Sequence, residues 1–300
     1  MIGGLTDTQE SVRHSADPTI LNINLTEART LSGIRVFDVG QGDCIGLLDE
    51  DQRIFCYVDY GGLADNPYRG TTMPNPAAQR MPPRSSGGGI QIILTHWDKD
   101  HYYTAKKYNT FTADCPWLVP RQMASPQAVR FAASLSRALC WPETYKQKTK
   151  QFRIGAKTAV EIRKCGQFIA KAPHEDRNRT GLAVTLLHYE NDKCDRYMLL
   201  PGDCPFDRIP MLPKARLQVL VAYHHGAHTH WGKSTQVIKR RAKQRYLVYS
   251  YGRSNIYGHP DPTNYEPQWD AFATHTPHVP ASTGYEDFLW EFRSLNDGHG

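Results

Sequence analysis

The sequence predicts one layered α/β domain, and three observations predict it. Short apolar or alternating runs, bounded by turn residues, recur along most of the 300 residues, with segments of helical spacing between some of them. Several of these runs end in the same kind of polar residue, histidine or aspartate. No internal repeat and no linker divides the region from 33 to 290.

The elements follow in order. I-R-V-F-D-V from Ile34 alternates, D-C-I-G-L-L from Asp43 follows, and R-I-F-C-Y-V-D from Arg53 comes after a D-E-D turn; these read as short strands. Asn66 to Gly89 is rich in Pro, Gly, Ser and Asn and reads as a long loop. Ile90 to Leu94 is a buried strand, His101 to Tyr108 begins a helix, and Trp117 to Val119 is a strand. Ser125 to Leu139 has helical spacing with a Ser N-cap and Pro at the next position. Phe152 to Arg163 is a strand pair around Gly155, and Leu182 to Tyr189 with Tyr197 to Leu200 forms a hairpin across Asn191 and Asp192. Leu217 to Ala222 is a buried strand, Thr235 to Gln244 a helix, and Tyr246 to Tyr251 a strand. Residues 1–30, polar and weakly periodic, read as an N-terminal extension, and 31–300 as the domain, with an insertion over about 103–172.

Composition narrows the function classes. Hydrophobic residues make up 40% and charged residues 22%, enough for a packed core and against general disorder. No run approaches the ~20 apolar residues of a membrane helix. No basic segment leads into an apolar one at the start, so no secretory signal is expected. The seven cysteines are scattered, with no C-x-x-C pair, which suits a reducing cytoplasm better than a disulfide framework or a zinc finger. The formal net charge of +6 favours an anionic partner such as nucleic acid, although a solvated surface would look the same. Basic residues concentrate at Lys146, Lys148, Lys150 and Arg153, and again from Lys239 to Arg245.

The densest chemistry is T-H-W-D-K-D-H, Thr95 to His101, at the end of the Ile90 strand. His96, Asp98, Asp100 and His101 place four metal-capable side chains within six positions. Taken alone, the segment could also cap a helix, since aspartates are favourable at helix N-termini. Later strands add P-G-D with Asp203, Y-H-H-G with His224 and His225, and N-I-Y-G-H-P with His259. Strands ending at one sheet edge would bring these together as a two-metal site of imidazoles and carboxylates.

In order along Gly33 to Pro260 stand D-V-G-Q-G-D (Asp38 to Asp43), V-D-Y-G-G (Val58 to Gly62), T-H-W-D-K-D-H, N-R-T-G (Asn178 to Gly181), P-G-D (Pro201 to Asp203), H-H-G (His224 to Gly226) and Y-G-H-P (Tyr257 to Pro260). The series resembles the metallo-β-lactamase fold and, within it, the ComEC-type competence nuclease domain, here in a standalone soluble form. The resemblance implies a four-layer αββα sandwich and two divalent ions, Zn²⁺ or Mn²⁺, with Mg²⁺ also compatible. His96 and Asp98 would serve one ion. Asp100 and His101 would serve the second, completed by His224 or His225, and Asp203 would bridge. Asp98 and Asn178 stand where most of the superfamily has histidine. An oxygen-rich first site makes Mn²⁺ or Mg²⁺ more competitive with Zn²⁺. Asn178, Ser250, Asn255 and His259 would hold a phosphate, with His259 or a bound water protonating the leaving group. Ala227 stands where the family usually has Ser, so one phosphate-binding hydroxyl is absent.

The other residues near these motifs are read more plainly. His174 could replace Asn178 but suits the loop better, and His228 and His230 are read as solvated. Asp59 reads as a turn or supporting group, and Gln41 and Asp43 sit in a Gly-bounded loop that could face the site. Trp97, Tyr102, Tyr103 and Tyr257 could stack on bases or pack under the loops.

The leading expectation is therefore a metal-dependent nuclease or phosphodiesterase. It would act through hydroxide made available by two cations, with Asp100, Asp203 and His259 as the catalytic set. The cysteine pattern suits the cytoplasm, and the resemblance implies a bacterial conflict or antiviral defence setting, with protein partners from a defence operon. One alternative is hydrolysis of a non-phosphate ester, lactone or thioester. Another is a metal-binding scaffold or sensor in a complex.

Overall fold

The computed structural model describes residues 30–62, 90–107, 112–122, 124–141, 149–166, 177–227, 246–252, 258–261, 270–273 and 288–292. In chain order the strands are β1 (Leu31–Val36), β2 (Cys44–Asp49), β3 (Ile54–Tyr60), β4 (Gln91–Ile93), β5 (Trp117–Val119), β6 (Ala138–Cys140), β7 (Thr149–Ile154), β8 (Thr158–Lys164), β9 (Leu182–Glu190), β10 (Lys193–Leu200), β11 (Arg216–Val221), β12 (Tyr246–Tyr249), β13 (Asp270–Ala273) and β14 (Phe288–Glu291). Helices α1 (Lys99–Lys107) and α2 (Pro126–Ala133) pack outside, and a one-turn helix α3 (Arg177–Thr180) precedes β9.

The strands form two seven-stranded mixed sheets, ordered β14-β1-β2-β3-β4-β5-β6 and β13-β12-β11-β10-β9-β8-β7. The two sheets share one plan. In the first, β14 to β3 pair antiparallel, and β3 to β6 pair parallel. In the second, β7 to β10 pair antiparallel, and β10 to β13 pair parallel. The pattern therefore changes at β3 and at β10. Crevices beyond the carboxyl ends of strands at such a change are where α/β sheets place ligands.

Three apolar clusters define the layers. Val36, Val58 and Ile93 of the first sheet meet Val184, Leu200, Val219 and Val248 of the second between the sheets. The outer face of the first sheet, with Tyr57, Ile92 and Trp117, is covered by Tyr102 and Ala105 of α1 and Phe131 of α2. On the outer face of the second sheet, Ala183, Leu199, Leu220 and Leu247 pack with Cys204, Ile209 and Tyr223. Buried Arg163 ties that covering segment down, donating to the carbonyl of Pro210 at 2.7 Å and to Thr185 Oγ1 at 2.9 Å. The expected α/β sandwich is thus present. The helix expected over 235–244 lies outside the described residues, as do residues 1–29.

Central strand β3, I-F-C-Y-V-D-Y, is buried along its whole length, as a strand covered on both faces must be. Helix α1 carries Asp100 in its first turn and Lys106 and Lys107 in its last, matching the helix dipole. Helix α2 starts as expected, with Ser125 Oγ accepting from the Ala128 N–H at 3.2 Å. It ends sooner than its periodicity suggests. Ser134 turns its hydroxyl onto the Phe131 carbonyl at 2.7 Å, and Ala138–Cys140 leaves the helix to pair with β5. The stretch read as an insertion supplies β5, β6, β7 and β8, so its described part belongs to the two sheets. Three strands were not expected: β6 pairs with β5, β13 extends the second sheet, and β14 closes the first sheet against β1.

Packing settles the aromatic residues near the motifs. Trp97 and Tyr102 are buried: Tyr102 stacks on Phe131 at 5.1 Å, and Trp97 Nε1 donates to the Pro120 carbonyl at 3.0 Å. They are core residues and offer no face to a base. Tyr103 carries the Lys99 ammonium over its ring at 4.8 Å. Tyr257 lies outside the described residues.

The loops after β1 and β3 clasp the first turn of α1. The Gly62 N–H donates to the Asp100 carbonyl at 2.8 Å. Gly42 takes φ +132°, and a Cβ there would stand 2.2 Å from the same carbonyl. Gly42→Ala is therefore expected to displace this turn and cost about 1–3 kcal/mol or more, read by urea denaturation, with metal affinity falling alongside.

Candidate metal centre

The site lies beyond the carboxyl ends of β3, β4, β10, β11 and β12. From β3 comes Asp59, a buried non-glycine residue at φ +58°. Its carboxylate accepts from the Thr95 N–H at 2.7 Å, from the Thr95 hydroxyl at 2.7 Å and from His101 Nδ1 at 2.8 Å. This single side chain ties the end of β4 to the first turn of α1.

These contacts decide the tautomers. With Nδ1–H donated to Asp59, His101 presents a bare Nε2. The Thr95 hydroxyl spends its hydrogen on Asp59, so His96 Nδ1, 3.1 Å away, is the donor to it, and His96 Nε2 is bare as well. His225 Nδ1 lies 2.7 Å from the Ser250 carbonyl, which only accepts, leaving its Nε2 to face Asp100 Oδ2 at 3.1 Å. Three imidazoles are thus oriented from behind, the arrangement that prepares a histidine for a metal.

Asp203 meets them at the end of β10. Its Oδ2 lies 3.3 Å from His96 Nε2 and 3.5 Å from His224 Nε2, and its Oδ1 lies 3.2 Å from His101 Nε2 and 3.8 Å from His225 Nε2. Gly202, at φ +56°, allows this approach: a Cβ there would stand 2.6 Å from Thr95 Oγ1. Each carboxylate oxygen therefore faces a different group of donors.

His224 and His225 share the site through backbone strain. Consecutive residues of an extended chain point to opposite sides. Here both adopt left-handed conformations, at φ 43° and 55°, followed by Gly226 at 88°. The turn sends His225 inward to Asp100 and His224 to the outer side, where its Nδ1 lies 3.4 Å from Asn178 Nδ2. Asn178, expected at the substrate, thus supports His224, and an amide can present either end to the ring.

The residues fit divalent ions. His96 Nε2, His101 Nε2, Asp203 Oδ1 and Asp43 Oδ1 are buried polar atoms without hydrogen-bond partners, and unpaired buried polar atoms are costly. His96, His101 and Asp203 bring ligand atoms within 4.8 Å of one another, as do Asp100, His101 and His225. The set on Asp203 Oδ1 comprises Asp100, His101 and His225. The set on Oδ2 comprises His96 and His224, with Asp98 Oδ2 3.5 Å from His96 Nε2. Nitrogen and oxygen donors without thiolate suit Zn²⁺ or Mn²⁺.

Charge in the metal-free site follows from burial. Burial and His101 push the His96 imidazole down, but Asp203 and Asp98 raise it further, to about 9. Burial likewise opposes the charge on His225, and Asp100, Asp43 and Asp203 outweigh it, again to about 9. Asp203 is disfavoured by burial yet held well below the usual carboxylate range by His224, His96 and His101. Asp43, beneath the ring of ligands, is raised to about 6 by burial, with His225 and His101 opposing.

Three expected roles change. The Ser250 hydroxyl is buried and donates to the Gly42 carbonyl at 2.6 Å, so Ser250 orients His225 rather than binding phosphate. His259 lies 5.1 Å from the His224 ring; burial, then His224 and His225, push it down to about 4. It is uncharged at neutral pH, and cations bound nearby would act in the same direction, so it holds no ready proton for a leaving group and is a weak base. Asp98 does not face the ligands alone, because Arg177 Nε donates to its Oδ1. Asn255, His174, His228 and His230 lie outside the described residues.

Sequence reading passed over Arg177, the Thr95 hydroxyl and Gln122. Gln122 accepts from the Trp97 N–H at 3.1 Å and donates to the Arg177 carbonyl at 2.6 Å and Thr180 Oγ1 at 2.9 Å. Only Arg177 had a signal, its place directly before N-R-T-G.

No protein-family model matches the chain, and no curated protein matches its sequence. Among solved structures, a metallo-β-lactamase fold protein, YhfI from Bacillus subtilis, shows 11% identity and a TM-score of 0.41, covering 87% of this chain and 99% of its own. CmlA, a diiron β-hydroxylase from Streptomyces venezuelae, shows 12% identity and a TM-score of 0.33 over 64% of this chain. This chain spans 34% of the hydroxylase. Likeness at this level says nothing of chemistry, which rests on the residues themselves.

Two outcomes are expected. Asp59→Asn, which turns an acceptor beside His101 Nδ1 into an amide, lowers metal affinity about 10–100-fold, read by metal titration. Loading releases protons from His96 and His225, so apparent affinity rises with pH from about 6.5 towards 9. The metal-free fold shows the opposite trend: the raised imidazoles stabilise it fully below 6.5, and that contribution is lost as pH rises through about 9. Denaturation with and without metal across this range checks both signs.

Proposed function

We propose that this protein is a metal-dependent hydrolase acting on a phosphodiester, DNA or another, with two divalent ions at the Asp203 centre. The observation that carries the reading is the convergence of three imidazoles, each held at Nδ1 and bare at Nε2, on the two oxygens of buried Asp203. Such an arrangement leaves Nε2 positions, facing carboxylates, that only a proton or a cation can fill. It stabilises a protein that places cations there.

The chemistry that such ions supply when bound is Lewis acidity and acidification of water. The chain does the rest. Asp59, Thr95 and Ser250 hold the ligand rings in one tautomer. Asp203 sets the separation of the two donor groups by giving each one oxygen. His259 packs its neutral ring against His224 at the site's outer side. The aromatic pair Trp97 and Tyr102 stays in the core, so base stacking does not contribute through them.

The phosphodiester is favoured by the resemblance of D-V-G-Q-G-D and H-H-G to the competence nuclease domains and by the net charge of +6. A bacterial defence setting with protein partners belongs to the same proposal. Among the described residues no helix is long and apolar enough to cross a membrane.

Chelation, or Asp100→Ala, is expected to abolish cleavage of single- or double-stranded DNA and of bis(p-nitrophenyl) phosphate, with activity restored by Mn²⁺ or Zn²⁺ in the chelated wild type only. Undiminished cleavage by pure Asp100→Ala protein would overturn the reading. Turnover of lactones or thioesters with none of phosphodiesters would move it to carboxylic substrates.

A further inference from the structure

Beside the donor group on Asp203 Oδ2 stands a cation that belongs to the chain itself. Arg177 Nε donates to Asp98 Oδ1, while the other oxygen of Asp98 lies 3.5 Å from His96 Nε2. One carboxylate thus separates a guanidinium from a metal-facing imidazole. The Arg177 side chain is 34% exposed, so it stands at the mouth of the site and not within the core.

The arrangement is built rather than incidental. Gln122 is buried and uses its amide to hold the Arg177 carbonyl and the Thr180 hydroxyl, while its oxygen takes the Trp97 N–H of the ligand loop. The backbone carrying Arg177 is therefore clamped to the backbone carrying His96 and Asp98. The next residue, Asn178, reaches His224 on the same side. Among the described residues, none forms a hydrogen bond to the two terminal amino groups of Arg177. A guanidinium is a planar fork that stays charged at any working pH and binds phosphate oxygens in pairs. Nε engaged with a carboxylate leaves the fork's terminal donors for a second anion.

We propose that Arg177 is the substrate-recognising residue of this site: it holds Asp98 through Nε and takes a non-bridging oxygen of a phosphate through its terminal amino groups. The inference rests on the phosphodiester reading for its substrate, though its anion chemistry can be tested separately. It also assigns Arg177 a second effect. By occupying Asp98 Oδ1, it leaves that carboxylate one oxygen for a metal and so weakens the donor group on Asp203 Oδ2 relative to the group on Oδ1.

The test compares wild type, Arg177→Met and Arg177→Lys, each checked for folding by circular dichroism. Binding of inorganic phosphate and of thymidine monophosphate to Mn²⁺-loaded protein is measured by calorimetry, Mn²⁺ stoichiometry by elemental analysis, and KM and kcat with bis(p-nitrophenyl) phosphate. Arg177→Met should weaken both anions about tenfold or more, the size of a lost charge-assisted hydrogen bond. It should also raise KM more than it lowers kcat, and bind Mn²⁺ at least as fully as wild type. Arg177→Lys should recover part of the loss, keeping the charge without the fork. Unchanged anion affinity in folded, Mn²⁺-loaded Arg177→Met overturns the inference. So does a loss of anion binding that merely follows a loss of Mn²⁺. If wild type cleaves no phosphodiester but binds phosphate through Arg177, the function proposed above fails and this inference stands. If wild type cleaves and Arg177→Met is indistinguishable from it, the reverse holds.

Discussion

Two of the three inward imidazoles of the candidate centre depend on one buried carboxylate, Asp59. One residue before the end of β3, it takes a left-handed conformation that few residues other than glycine adopt readily, and aspartate is among those that tolerate it. That bend aims both oxygens at the neighbouring strand end. One takes the backbone of Thr95, and the other takes its hydroxyl and the His101 ring. The direction of the Thr95 hydroxyl then dictates the tautomer of His96. Two ligand rings are thus positioned by a residue that itself need bind no metal.

The shared plan of the two sheets explains why the ligands come from so many parts of the chain. Each sheet changes from antiparallel to parallel pairing, at β3 and at β10, and the loops leaving those strands and their parallel neighbours share one crevice. Asp59, the Thr95 to His101 turn, Asp203, the histidine pair and Ser250 all leave strands there. The apolar clusters on either face hold the sheets in register, so the crevice is a product of the core. Trp97 and Tyr102 show the same economy, being spent on the packing that supports α1.

Electrostatically the centre is a cage of alternating sign. Carboxylates hold the imidazoles protonated without metal, and a dication replaces those protons with little change in total charge. At the rim the balance is supplied by Arg177, which pairs with Asp98. That pairing makes the two donor groups chemically unequal, even though Asp203 serves both.

Much of this was legible in the sequence. Local spacing showed the strands, the helix starts at Ser125 and around His101, and the polar residues at strand ends, because these depend on neighbours a few positions away. Residue type alone marked His96, Asp100, His101, Asp203, His224 and His225 as metal-capable. The tertiary structure decided what each one does. Which of His224 and His225 turns inward depends on two left-handed residues, and no propensity scale foretells strain that the surrounding fold imposes. Ser250 changed role because its hydroxyl meets Gly42, over 200 positions away. The β14 pairing with β1 and the clamp of Gln122 on Arg177 likewise join segments that no local pattern connects. The sequence by itself determined the donor chemistry and the alternation of strand and helix. Orientation, tautomer and charge pairing were decided only by the fold, since they depend on distances between residues remote along the chain.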